Sequence, residues 1–101
     1  MDKKTHDELR RLLENTGDMA LKRRARRIIE EIDPKDGDQI LEVGCGDGFY
    51  LHLLSELRFK LELVGVDINP QALKSARKNL RGKRITLRQA DLMKKLPFGP
   101  A

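Results

Sequence analysis

Apolar positions near the amino terminus recur at helical spacing. Leu9, Leu12 and Leu13 share one face, and Thr5 with Glu8 three residues later matches a capping box, so the pattern predicts a helix from about Thr5 to Asn15. Gly17 interrupts it, and Asp18 is placed to cap a second helix whose apolar stripe is Leu21, Ala25, Ile28, Ile29 and Ile32. Asp33-Pro34 ends that helix, because the residue before a proline is driven out of helical geometry. The period then changes. Gln39 to Val43 and Leu61 to Val66 are short, nearly continuous apolar runs, the pattern of parallel strands covered on both faces. Ile85 to Ala90 alternates, with Ile85 and Leu87 on one side and Thr86 and Arg88 on the other, as an edge strand does. Tyr50, Leu53, Leu54 and Leu57 give a short helix between the first two strands. Leu73, Ala76 and Leu80 line another, opened by Asn69-Pro70 and stopped by Gly82. The predicted fold class is α/β: a β-α-β-α-β unit behind a helical lead-in, its three parallel strands in the order 3-2-1.

Composition narrows the setting. The chain has 101 residues, enough for one domain, read as a lead-in over 1–33 and the β-α-β-α-β unit over 34–101. No apolar run approaches the ~20 residues of a membrane span, and the polar start after Met1 carries no secretory signal. Cys45 is the only cysteine, so no internal disulfide forms, no Cys/His cluster suggests zinc, and the expected setting is cytoplasmic. The net charge of +5 is uneven: residues 74–88 hold seven basic side chains and no acidic one. That stretch, with Lys22–Arg27, makes an anionic partner such as nucleic acid conceivable. With only four aromatic residues, however, there is no evident base-stacking platform.

The segment that carries chemistry is Ile40-Leu41-Glu42-Val43-Gly44-Cys45-Gly46-Asp47-Gly48. A strand enters a turn with glycine at every second position, and a helix follows, so backbone can approach a ligand closely. Asp67 ends the next strand, 19 residues beyond Gly48, where a carboxylate can accept both hydrogen bonds of a ribose diol. As it precedes Asn69-Pro70, it is equally placed to cap the next helix. A dinucleotide fingerprint requires a third glycine where Phe49 stands, which disfavours a nicotinamide module, and no Gly-Lys-Ser/Thr is present for a phosphate loop.

Glu42-x-Gly44-x-Gly46-x-Gly48 resembles the first motif of class I, Rossmann-like methyltransferases that use S-adenosylmethionine (SAM). Val66-Asp67-Ile68 resembles their second. Gln89-Ala90-Asp91-Leu92, followed by Leu96-Pro97-Phe98, resembles their third. The resemblance runs from about Pro34 to Phe98 and implies a SAM-dependent methyltransferase, with S-adenosylhomocysteine as product. It implies that Gly44, Cys45 and Gly46 pass near the methionine end of SAM, that Gly48 is also a cofactor-binding position, and that Glu42 anchors the methionine end, partly through water. It further implies that Asp67 holds the ribose hydroxyls, that Ile68 packs on the adenine, and that Asp91 and the Leu92 backbone bind the adenine edge. No metal is implied, and no catalytic residue is assigned. The family fold has seven strands, and the motif on the fourth that serves the methyl acceptor lies outside this sequence. The expectation is therefore a fragment, a truncated product or a built half-fold.

The remaining signals are weaker. His52 is expected on a helix surface, and Cys45 has no neighbouring histidine to make it a nucleophile. A non-catalytic half-domain or a basic nucleic-acid scaffold is the alternative function. With both crossover helices on one face, the other face and the outer edge of the first strand are expected to be bare. A homodimer or larger assembly is then predicted, with Leu41, Val43 and Val64 as interface residues.

Overall fold

The computed structural model describes residues 1–91. Helices α1 (Lys3–Leu12) and α2 (Met19–Ile32) lead into strand β1 (Gln39–Val43). Helix α3 (Phe49–Glu56), strand β2 (Glu62–Asp67), helix α4 (Pro70–Asn79) and strand β3 (Ile85–Gln89) follow. Among the described residues the strands form a parallel sheet in the order β1-β2-β3, as the pattern predicts.

Register settles which side chains share a face. Ile40 pairs with Leu63 and Glu42 with Gly65, while Leu63 pairs with Ile85 and Gly65 with Leu87, so these six point to one side. That side carries the core: Leu51, Leu54 and Leu57 from α3 and its end, and Leu73, Ala76 and Leu80 from α4 and its end, cluster with Leu63. Leu9 and Leu13 with Ala25 and Ile29 join the same cluster, so the lead-in helices thicken this layer rather than cover the far one. On the far side lie Leu41, Val43, Val64, Val66, Thr86 and Arg88. Val66 is buried, but Leu41 is 45% and Val43 46% exposed. The two-sided cover that the apolar runs suggest is therefore met by helices on one face only, among the described residues.

The start of α1 differs from the expected capping box. The cap is Asp2, whose carboxylate accepts from the Thr5 backbone N–H at 2.9 Å and from the Thr5 hydroxyl at 2.7 Å. An aspartate one turn earlier outcompetes Thr5, because its carboxylate accepts from both Thr5 donors at once. Glu8 does not reach back to close a box. It accepts from Arg58 Nη1 at 2.8 Å and from the Arg58 backbone N–H at 3.1 Å. Arg58 also reaches Asp2 and the Thr5 hydroxyl and stacks on Phe59 at 4.6 Å, pinning α1 to the turn after α3. The other two caps are as expected: Asp18 accepts from the Ala20 and Leu21 N–H groups, and Asn69 from those of Gln71 and Ala72.

Candidate functional site

The carboxyl ends of β1, β2 and β3 lie side by side, where parallel α/β sheets present ligand sites. The turn after β1 is tied to the end of β2. The Gly44 and Cys45 N–H groups both donate to the Val66 carbonyl, at 2.8 and 3.0 Å, and the Gly46 N–H donates to Asp67 Oδ2 at 2.9 Å. The Gly48 N–H donates to the Cys45 carbonyl and the Phe49 N–H to Asp47 Oδ1. The end of β3 is joined on the other side, the Ala90 N–H donating to the Asp67 carbonyl at 3.1 Å. Asp91 follows directly and is half-buried.

Asp67 is the hinge of this arrangement. Its Oδ2 takes the Gly46 N–H and its Oδ1 takes the Asn69 N–H at 2.9 Å. The rival capping role falls to Asn69, so Asp67 does not cap α4. Each carboxylate oxygen keeps acceptor capacity beyond its single backbone bond, and the two bonds fix the carboxylate plane. Ile68 beside it is 57% exposed, a large apolar side chain at the rim.

The three turn glycines have different reasons. Gly44 (φ 71°) and Gly46 (φ 56°) lie in left-handed backbone, and an added Cβ would meet nothing within 4 Å, so they leave open space over the turn. Gly48 (φ 90°) is buried, and a Cβ there would come within 2.7 Å of Leu80 Cδ1. It permits close contact between the start of α3 and the end of α4, and faces packing rather than the cleft.

Glu42 and Cys45 lie beneath the turn. Glu42 Oε1 is buried and has no hydrogen-bond partner among the described residues, and burial, then the nearby Asp47 carboxylate, pushes Glu42 up to about 7. Burial also raises the Cys45 thiol, reinforced by Glu42 and Asp67, so Cys45 remains a protonated, buried thiol and not a nucleophile. Leu92 lies outside the described residues. Two supports escaped the sequence reading. The Gln89 side-chain amide donates to the Ile68 carbonyl at 3.1 Å, and the Asn79 amide donates to the Asp47 carbonyl at 3.1 Å. Both bridge residues far apart in sequence, and no local pattern announces them.

Two features of this site select ligand chemistry. The amides of Gly44, Cys45, Gly46, Gly48 and Phe49 are consumed within the protein, so the turn does not offer them to a phosphate. The nearby ionisable groups, Glu42, Asp47, Asp67 and Asp91, are acidic. Such a site favours a neutral or cationic ligand over a pyrophosphate. A separate cleft bounded by Gly37, Phe59, Lys60, Leu61 and Lys83 lies at the opposite, amino-end edge of the strands, away from these groups. Among the described residues no group of histidine, cysteine and carboxylate side chains is arranged to hold a metal, and no helix is long and apolar enough to cross a membrane.

Residues 34–99 match the family model described as a methyltransferase domain. The chain is similar to the malonyl-[acyl-carrier protein] O-methyltransferase of Anoxybacillus flavithermus, 42% identical over 53 residues, covering 52% of this chain and 20% of that protein. Its fold is similar to the TehB-like SAM-dependent methyltransferase of Corynebacterium glutamicum, with a TM-score of 0.59 at 21% identity over 93% of this chain and 47% of that one. It is also similar to SAM-bound CalS10, an amino pentose methyltransferase of Micromonospora echinaspora, with a TM-score of 0.52 at 29% identity over 74% of this chain and 30% of that one. The chain thus spans less than half the length of each of these relatives.

Proposed function

This chain belongs to the methyltransferase-domain family, and from that premise we propose that it is the SAM-holding part of a SAM-dependent methyltransferase. The observation that carries the reading is Asp67: a carboxylate locked by one backbone N–H on each oxygen, set between the open Gly44–Gly46 turn and the end of β3. Its remaining lone pairs suit two adjacent hydroxyls. Glu42 supplies the second half of the fit. A buried acceptor without a partner calls for a donor, and the ammonium of a methionine moiety is one, met directly or through water. Ile68 offers an apolar surface for an adenine, and Asp91, with Leu92 after it, acceptor and backbone groups for the purine edge. Cys45 and Gly48 support the turn from below.

When bound, SAM supplies a methyl group on a positively charged sulfur, activated for transfer to a nucleophile. This chain's own residues orient and hold the donor, the positioning share of catalysis. The acidic lining and inward-turned amides favour this ligand over NAD, whose pyrophosphate would meet repulsion and find few amide donors. A cytoplasmic setting suits the lone, free thiol. We also propose self-association through the bare face and free edge of β1, on the strength of the exposed Leu41 and Val43.

Isothermal calorimetry with S-adenosylhomocysteine and, separately, NAD tests the cofactor reading. Weak, saturable binding of S-adenosylhomocysteine is expected, together with none or far less for NAD. Absence of S-adenosylhomocysteine binding at millimolar concentration, or a preference for NAD, would overturn it.

A further inference from the structure

The cofactor reading leaves the outer side of α4 unused. Lys74, Arg77, Lys78 and Arg81 fall at i, i+3, i+4 and i+7, all exposed, while Leu73, Ala76 and Leu80 turn into the core. With Gln71 and Ser75 they line one shallow groove. None of these four basic side chains makes an ion pair among the described residues. Like charges one turn apart destabilise a helix, and nothing within the stretch offsets them, because residues 74–88 contain no carboxylate.

We propose that this face, formed by Lys74, Arg77 and Lys78 of α4 and Arg81 just past its end, binds the phosphate backbone of a nucleic acid. Spacing supports it. Lys74 to Lys78 rises about 6 Å along the helix, the axial reach of about two successive phosphates on one strand, and Arg81 extends the same groove beyond the helix end. Two of the four cations are arginines, whose forked donors match phosphate oxygens. An acidic protein would want an apolar anchor at the centre of the contact. Among the described residues the exposed large apolar side chains are Met19, Ile28, Ile32, Leu41, Val43 and Ile68, none of them on this patch. No aromatic residue lies within 74–88 to stack on bases, so the contact reads backbone and not sequence. Charge is also segregated: the acidic cofactor cleft repels the polyanion that this face attracts. The proposal stands on this patch alone and does not depend on SAM binding.

Fluorescence anisotropy tests it, with labelled single-stranded RNA and duplex DNA of about 20 nucleotides, long enough to exceed the stripe. Binding is expected for at least one of the two, and for duplex DNA a plot of log affinity against log salt should have a slope of about −3.6, for about four phosphate contacts. Arg77→Glu with Arg81→Glu should weaken binding at least tenfold while leaving the far-ultraviolet circular dichroism and melting temperature near wild type. The milder Arg77→Gln with Arg81→Gln should reduce the steepness of the duplex slope by about 2. Arg23→Glu with Arg26→Glu on α2, another basic helix face, should change binding less than threefold. The proposal is overturned if neither nucleic acid binds at low salt or if the α2 variant loses as much as the α4 variant. It is also overturned if poly-L-glutamate displaces the labelled strand as well as unlabelled RNA does, which would assign the stripe to acidic proteins.

Discussion

Glu42 and Asp67 are two carboxylates given opposite environments. Asp67 is braced by backbone donors, whereas Glu42 has a buried oxygen with none. Because Glu42 rises to about 7 in the fold, against an unfolded value near 4.3, folding favours its protonated form. Its contribution to stability is therefore fully present below about pH 4 and is lost as pH rises through about 7. Glu42→Gln removes the charged form. It should raise the melting temperature at pH 8 by the equivalent of about 1 kcal/mol, after allowance for solvent screening of a half-buried group, and have little effect at pH 4.5. The same variant should weaken S-adenosylhomocysteine binding and flatten its rise in affinity between pH 6 and 8, because the carboxylate is the form that pairs with an ammonium. Thermal melts and calorimetry across that range check both; a Glu42→Gln protein less stable at pH 8 than wild type would contradict the assignment. Asp67→Asn keeps the shape but loses acceptor strength toward the hydroxyls and the Gly46 N–H, and should cost ~1.5–3 kcal/mol of binding, read by the same calorimetry.

At the level of elements, strand order and the caps at Asp18 and Asn69 are written in local sequence, and the structure follows them; the apolar stripe of α2 is followed only in part, since Ala25 and Ile29 are buried while Ile28 and Ile32 stay exposed. The misreadings share one cause: a residue's role set by a partner far along the chain. Glu8 looks like a capping-box residue until Arg58, 50 residues away, claims it. Gly48 reads locally as a turn glycine, but its close approach to Leu80, far along the chain, is not visible there. Gly65 is inconspicuous within an apolar run, but a Cβ there would lie 2.6 Å from Leu51 Cδ1 and 3.0 Å from both Cys45 Sγ and Leu87 Cδ2. It lets α3 and the glycine turn settle onto β2. Gly65→Ala should therefore destabilise the fold by ~1–3 kcal/mol through overpacking, although alanine suits a strand better than glycine. Denaturant titration gives the value, and a neutral or stabilising result would mean that the α3–β2 contact is looser than described. In the candidate site, the glycine turn and Asp67 are legible locally because each closes an apolar strand run. The inward use of the turn amides is not, since it depends on which carbonyls the neighbouring strand presents.

Seen whole, the described molecule is one sheet with its helices on one side. The bare side is narrower than the apolar runs suggest. Ile40, Leu63, Ile85 and Leu87 face the helices, and the edge strand contributes Thr86 and Arg88 to the far side. What remains is Leu41, Val43 and Val64 beside the unpaired edge of β1. Leu41 and Val43 retain about half their exposure, so burying the rest contributes ~1 kcal/mol each, to which edge pairing adds hydrogen bonds. The expected assembly is a weak twofold dimer with β1 antiparallel to its copy. Light scattering at about 100 μM, well above the micromolar Kd of an ordinary interface, should show it. Leu41→Lys with Val43→Lys should return a folded monomer, and a wild-type monomer at that concentration would contradict it. The cofactor is expected at the carboxyl ends of the three strands, held by Asp67 and Glu42. Backbone nuclear magnetic resonance of the labelled chain, titrated with S-adenosylhomocysteine, tests this most directly. Gly44, Gly46, Ile68 and Asp91 amides should shift together and saturate, and Asp67→Asn should suppress them. Shifts confined to the opposite cleft at Gly37, Lys60 and Lys83, or none at millimolar ligand, would contradict it.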